Sequence, residues 1–80
     1  DYMRIVDRKM TGRRINNLML DREFSVLRLQ DLMELESAQS IYKWLAGDTI
    51  PTVDKLVKLA QIFECKIDDI IVTKEAEEKE

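Results

Sequence analysis

The 80-residue sequence contains no histidine and only one cysteine, Cys65, which excludes several kinds of site. A zinc site of the usual ligand spacing needs several Cys or His residues and cannot be built here. A single cysteine cannot form an internal disulfide, and nothing near the N-terminus resembles a signal peptide, so we expect a reducing, cytoplasmic setting. We expect Cys65 to behave as a small core hydrophobe.

Long apolar runs, glycine and proline are also scarce. No segment approaches the roughly twenty apolar residues that a membrane-spanning helix requires, so we expect no membrane contact. Two glycines, one proline, 45% apolar residues and 36% charged residues are typical of a helix-rich globular domain. Eighty residues provide one small core and no second one, so the chain predicts a single all-α domain.

Groups for catalysis are missing as well. Without histidine there is no nucleophile triad, and no glycine-rich phosphate loop is present. Asp68 and Asp69 are adjacent, but neighbouring positions on a helix point about 100° apart, so a cap or a solvated surface is a better interpretation than an acid/base pair. We expect no enzymatic activity, no metal and no small-molecule cofactor.

Charge is distributed unevenly along a chain whose net charge is −3. Residues 1–30 hold seven basic and four acidic residues, residues 31–47 hold one and three, and residues 48–80 hold five and nine. The total argues mildly against a nucleic-acid partner, because Lys and Arg supply most non-specific affinity for phosphates. The distribution predicts that any anionic ligand meets the first half of the chain, unless the charges serve only solubility.

Four hydroxyl residues precede segments with apolar residues at three- and four-residue spacing, a pattern typical of helix starts. These residues are Thr11, Ser25, Ser37 and Thr52. The predicted buried stripes are Ile15, Leu18 and Met19; Leu29, Leu32 and Met33; Ala38, Ile41, Trp44 and Leu45; and Val53, Leu56, Val57, Ala60 and Phe63. A short fifth helix is predicted in IDDIIV, with Ile67, Ile70 and Ile71 turned inward.

The ends of the chain are less clearly patterned. Residues 1–10 are interpreted as an N-terminal arm or a non-native remnant, and residues 11–72 as the folded domain. Residues 73–80 are charged and lack an apolar stripe, so we interpret them as an acidic tail that is frayed or disordered. Within the domain, Gly47 is expected to end the third helix, and Pro51 to prevent its continuation.

Only three or four residues separate the second and third predicted helices, too few for extensive antiparallel packing. The two helices should therefore cross steeply, as in a helix-turn-helix unit whose second helix stands out from the surface. Trp44, at three residues from Ile41, is predicted to anchor this helix in the core rather than to form a ligand platform. The outward face then carries Gln39, Ser40, Tyr42 and Lys43.

The chain resembles the Cro/phage-repressor-type (XRE) bacterial helix-turn-helix regulators in an ordered set of segments: TGRRINNLM, FS, IYKW followed by glycine, IPTVDKLVKLAQIF and IDDIIV. The combination is specific, and it spans residues 11–72. The resemblance implies a five-helix, lambda-repressor-like all-α domain that regulates transcription, as a repressor in the leading interpretation. It also implies binding to double-stranded operator DNA, commonly as a homodimer on a palindromic site.

In that family the start of the third helix reads bases, and the matching residues are Ala38, Gln39, Ser40 and Tyr42. Side-chain chemistry agrees, since glutamine can bond an adenine edge through two hydrogen bonds and alanine can touch a thymine methyl group. Position in the family fold implies phosphate contacts for Arg13, Arg14, Ser37, Lys43 and Thr49. The alternative is that these are ordinary solvent-facing residues.

Four positions depart from the family pattern. Glu23 and Glu34 occupy turns where many members have glycine, so either the turns are built differently or glutamate accepts a left-handed backbone. Val26 stands where a glutamine often contacts phosphate, and Asp48 lies in a loop that is often basic. These departures lower the DNA affinity that we expect and leave the predicted fold unchanged.

The sequence leaves two questions open. The alternative function is a protein-interaction module of the same fold, such as an antitoxin-like partner that grips a basic protein. An acidic rim around the third helix would favour that function, and a positive rim would favour DNA. The rim acids are Asp31, Glu34, Glu36 and Asp48. The two-fold contact of a dimer could come from Ile70, Ile71 and Val72 or from the exposed edge of the fourth helix.

Overall fold

The computed structural model describes residues 3–76 and contains four α-helices and a small sheet within that range. The elements in chain order are β1 (Arg4–Val6), α1 (Arg8–Asp21), α2 (Val26–Met33), α3 (Gln39–Ala46), α4 (Val53–Phe63), a 3-10 turn (Ile67–Asp69) and β2 (Thr73–Glu75). The predicted helical helix-turn-helix class is confirmed. Within the described range, no helix has both the length and the apolarity needed to cross a membrane.

The predicted count of five helices is wrong, because the IDDIIV segment forms only a single 3-10 turn. Asp69 closes this turn by accepting a hydrogen bond from the Lys66 amide at 3.0 Å. The residues that follow are β-branched, and such side chains favour extended backbone over helix. Ile70 is fully buried, as predicted, while Ile67 and Ile71 are half-buried against the core.

The core is one cluster that receives side chains from all four helices and the 3-10 segment. Its buried members are Ile15, Met19, Leu29, Met33, Ile41, Trp44, Leu56, Leu59, Ala60, Phe63 and Ile70. The predicted core position of Trp44 is confirmed, since its exposed fraction is 3%. Cys65 packs at the edge of the cluster, where burial, reinforced by Asp69, raises the pKa of its thiol. Cys65 is therefore protonated at neutral pH.

The predicted buried stripe of α4 is wrong at two positions. Val53 and Val57 are exposed, at 72% and 52%, whereas Leu59 is fully buried. The observed stripe is Leu56, Leu59, Ala60 and Phe63. Both valines lie on neighbouring turns beside this stripe, because residues four apart on a helix share a face. The sequence offered two overlapping apolar stripes, and packing of α4 against α2 and the 3-10 turn selects one of them.

Helix α1 is capped four residues earlier than predicted, at Asp7 instead of Thr11. Asp7 is the cap, and its carboxylate accepts a hydrogen bond from the Met10 amide at 3.0 Å. Thr11 is buried instead, and its hydroxyl accepts a hydrogen bond from the Val72 amide at 3.0 Å. The Thr11 hydroxyl therefore fixes the C-terminal segment to α1. Residues 8–10 belong to α1 rather than to an arm.

Strands β1 and β2 form an antiparallel ribbon that joins the two ends of the described chain. Ile5 pairs with Lys74, and the Arg4 guanidinium donates to the Thr73 carbonyl and hydroxyl, each at 2.9 Å. Residues 73–75 are thus a strand rather than the start of a frayed tail. The rest of the predicted arm and tail, residues 1–2 and 77–80, lies outside the described residues.

The other predicted helix caps are largely confirmed. Ser25 accepts from the Arg28 amide at 3.0 Å, and Thr52 accepts from the Lys55 amide at 3.4 Å. Helix α3 begins at Gln39, with Ala38 as its N-cap, so Ser37 lies one residue before the cap. The Ser37 hydroxyl still accepts from the Gln39 amide, at 3.4 Å. Gly47 ends α3 with φ of +81°, as predicted.

Glutamate accepts a left-handed backbone at both turns where family members often have glycine. Glu23 and Glu34 each have φ of 57°, and Glu64, after α4, has φ of 56°. A side chain with a Cβ is strained in this conformation by roughly 1–2 kcal/mol. Glu34 nevertheless completes the end of α2, since the Glu34 and Leu35 amides donate to the Asp31 and Gln30 carbonyls.

Glu34→Gly is expected to raise the free energy of unfolding by about 0.5–1 kcal/mol, because the relief of strain exceeds the entropy that glycine adds to the unfolded chain. Urea unfolding followed by circular dichroism measures the change. Glu34→Ala is the control, since it removes the carboxylate and keeps the Cβ. If Glu34→Gly were less stable than Glu34→Ala by about 0.5–1 kcal/mol, the ordinary entropic cost of glycine, the backbone at residue 34 would not be strained.

Candidate nucleic-acid interface

Helix α3 is anchored on one side and open on the other. Ile41 is fully buried and Trp44 nearly so, whereas Tyr42 between them is 59% exposed. Gln39 and Lys43 are also exposed, and the remaining predicted base contacts, Ala38 and Ser40, are half-buried. The four predicted base-reading residues therefore lie together at the start of one helix, two of them exposed and two half-buried.

The orientation of α3 is set by direct backbone contact with α1. A Cβ built on Gly12 would overlap the carbonyl oxygen of Trp44 and lie 2.9 Å from that of Leu45. Only glycine allows the two helix backbones to approach this closely. The sequence alone predicts no role for Gly12. The available signal was a glycine inside a predicted helix, which costs about 1 kcal/mol relative to alanine and so often has a packing reason.

The residues predicted to contact phosphates lie in different parts of the domain. Ser37, Lys43 and Thr49 are exposed at the two ends of α3 and in the loop after it, and Arg13 is exposed on α1. Arg14 points to a different part of the domain, since its guanidinium donates to the Asp69 carbonyl at 2.7 Å. A phosphate contact by Arg14 would require that hydrogen bond to break.

The structure contains a second group of cations that the sequence does not predict, because residues 1–10 show no helical pattern. Arg8 and Lys9 lie in the first turn of α1, where they line an open groove with Arg13 and with Lys74 of β2. Gly47, at the end of α3, forms part of the same lining. We call this surface the basic groove and define it by Arg8, Lys9, Arg13 and Lys74. The sequence signal that could have located it is Asp7, a helix-capping residue type that directly precedes RKMTG.

The rim of α3 carries charges of both signs. The predicted rim acids, Asp31, Glu34, Glu36 and Asp48, are all exposed. Asp31 lies 3.6 Å from the Arg28 guanidinium, which offsets part of its charge. Lys43 lies on α3 itself, and the Arg8 guanidinium lies 3.5 Å from the Asp48 carbonyl oxygen. Three of the four acids thus lie on the side of the helix-turn-helix turn, whereas Asp48 lies beside the basic first turn of α1.

Residues 14–76 match the model of a family described as the Cro/C1-type HTH DNA-binding domain. The chain belongs to this Cro/C1-type family. The resemblance expected from the sequence is confirmed, and the protein is a helix-turn-helix DNA-binding transcriptional regulator. The matched region includes α2, α3 and the turn between them.

Among solved structures, this Cro/C1-type domain is similar to the restriction-modification controller protein C.AhdI from Aeromonas hydrophila. The two chains are 19% identical and superpose with a TM-score of 0.72 over 80% of this chain and 96% of that one. At this level of identity the likeness shows a shared fold. A search of curated protein sequences gives no significant match.

Proposed function

We propose that the protein represses transcription by occupying operator DNA, with the N-terminal half of α3 in the major groove. The observation that carries this proposal is the placement of Gln39 and Tyr42 on the open face of a helix whose other face is anchored by Ile41 and Trp44. A helix held rigidly and exposed on one side can present side chains to base edges in a fixed register.

The side chains at the start of α3 divide the reading of bases between them. Gln39 is exposed and can bond an adenine edge through its amide, and the methyl group of the half-buried Ala38 can touch a thymine methyl. Ser40 and Tyr42 supply hydroxyls that can donate to or accept from bases. Specificity at each position then comes from these four residues rather than from the phosphate contacts.

Phosphate contacts fix the register of this helix on the duplex. We assign them to Ser37 before α3, Lys43 on it, Thr49 after it and Arg13 on α1, all of which are exposed. Arg14 keeps a structural role in this proposal, because its hydrogen bond to Asp69 joins α1 to the 3-10 turn.

A homodimer on a palindromic operator completes the proposal, because one α3 reads only a few base pairs. Of the two candidate contacts, the exposed edge of α4 is better supported. Val53 and Val57 are exposed on neighbouring turns of α4, whereas Ile70 is fully buried and Ile71 and Val72 are half-buried. This proposed mechanism needs neither a cofactor nor a catalytic step, and it would operate in the cytoplasm, where the DNA is.

Fluorescence anisotropy with a pool of random duplexes, at two salt concentrations, tests DNA binding directly. Binding that weakens steeply with salt is expected, because phosphate contacts release counterions. Selection and sequencing of bound duplexes from the same pool then gives the operator. Absence of binding at low salt would contradict the proposal. It would favour the alternative function, in which the acidic rim binds a protein partner.

Gln39→Ala is expected to reduce discrimination at one operator position by about 1–3 kcal/mol without changing the fold. Competition between the selected operator and single-base variants measures the change. Asn16→Ala is the control, since Asn16 is an exposed amide residue on α1 outside the proposed base contacts and the proposed dimer contact, and it should leave discrimination unchanged. An equal loss of affinity on every sequence would show that Gln39 does not read a base.

A further inference from the structure

The basic groove has a charge unlike that of the rest of the molecule. Four cations line it against one acid, Asp7, although the whole chain has a net charge of −3. The Asp7 carboxylate already accepts a hydrogen bond from the Met10 amide. The groove therefore concentrates positive charge on one surface of an acidic protein.

The cations of the groove are not neutralised by ion pairs within the described residues. The ion pairs found there, Arg22–Glu64 and Arg28–Asp31, lie elsewhere. Arg8 contacts a main-chain oxygen, that of Asp48, and Arg13 contacts the Met10 sulfur at 3.9 Å. Like charges on one surface repel each other, so a bound anion would be favoured electrostatically.

The groove is continuous with the C-terminal end of α3. Gly47 ends that helix, and a Cβ built on it would lie 2.9 Å from Lys9 Cγ, so the stem of Lys9 packs across this residue. Lys43 precedes Gly47 by four residues, a rise of about 6 Å along a helix axis. Each DNA strand carries one phosphate per roughly 3.4 Å. A duplex read by α3 would therefore have several phosphates near this end of the helix.

We propose that the basic groove is a clamp for the DNA backbone, which binds phosphates next to the base pairs read by α3. This inference rests on the proposed function, and it extends the DNA contact beyond the helix-turn-helix unit. Arg8 and Lys9 provide the α1 side of the clamp, and Lys74 provides the other side. The β1–β2 ribbon holds Lys74 in place, since Lys74 pairs with Ile5 and both side chains line the groove.

The salt dependence of DNA binding tests the clamp with Arg8→Gln, Lys9→Gln and Lys74→Gln. Glutamine retains Cβ and Cγ, so the packing of residue 9 against Gly47 is preserved. Each variant should lower the slope of log affinity against log salt by about 0.9, the value for one lost phosphate contact on B-DNA. The loss should be equal on operator and random duplexes, because phosphates carry no sequence information. Lys58→Gln, at an exposed lysine on α4, is the matched control and should leave the slope unchanged.

The outcomes separate this inference from the proposed function. Wild-type binding with unchanged slopes in all three variants would overturn the clamp and leave base reading by α3 intact. A loss confined to the operator would also overturn it. A wild-type protein that binds no duplex at low salt would overturn both proposals. Melting curves for each variant identify any unfolding. The Lys74→Gln variant tests the clamp independently of α1, because Lys74 lies on β2.

Discussion

Gly12→Ala is expected to lower the free energy of unfolding by about 3 kcal/mol, at the upper end of the usual cost of overpacking. The added methyl group would meet the carbonyl oxygens of Trp44 and Leu45, which are helix backbone and cannot rotate away as a side chain can. Alanine gains about 1 kcal/mol of helix propensity over glycine, but this gain is smaller than the steric cost. The two helices must therefore separate or α1 must bend.

Urea unfolding followed by circular dichroism measures the effect of Gly12→Ala, with Asn16→Ala as the control. Asn16 is exposed on the same helix, so its replacement should change stability by no more than about 0.5 kcal/mol. The Gly12 variant should also bind DNA more weakly than its remaining folded fraction explains, because α3 is displaced. Wild-type stability for Gly12→Ala would mean that α1 and α3 are not in backbone contact.

Trp44→Ala is expected to cost about 3–5 kcal/mol, the usual range for a buried aromatic side chain. A domain of this size is stabilised by roughly 0.05–0.15 kcal/mol per residue, so the loss is a large part of the total. Trp44 is 3% exposed and lies in the main core cluster, so its truncation leaves a cavity in the core. The variant should be partly or wholly unfolded at 37 °C.

Thermal melting followed by circular dichroism tests this expectation, with Tyr42→Ala as the control. Tyr42 is the neighbouring aromatic residue two positions earlier, and it is 59% exposed. Its replacement should leave the melting temperature nearly unchanged while it weakens operator binding. A cooperative transition at the wild-type temperature in Trp44→Ala would contradict the core assignment.

The parts of the fold that the sequence predicted are those with local signals. Ser25 and Thr52 cap the helices that follow them, because a hydroxyl three residues before a free amide needs no distant partner. Ile41 and Trp44 are buried as their spacing indicates. The face of α3 opposite to them was predicted by the same periodicity, and this is why the candidate base-reading residues could be named from the sequence.

The features that the sequence did not predict depend on distant contacts. The β1–β2 ribbon joins residues 69 positions apart, and neither strand has an apolar stripe that would reveal it. The start of α1 was misplaced because Thr11 has a capping residue type but bonds to Val72 instead. The basic groove brings together the first turn of α1, the end of α3 and β2, so no single segment shows it.

The β1–β2 ribbon also has a consequence for the connectivity of the chain. The Ala76 amide donates to the Met3 carbonyl at 2.9 Å, so the first and last described residues are hydrogen-bonded neighbours. A short linker could join these residues, and new termini could be opened in the exposed loop at Asp48 and Thr49. Such a circular permutant would keep every helix intact while it separates α3 from α4 in the order of synthesis.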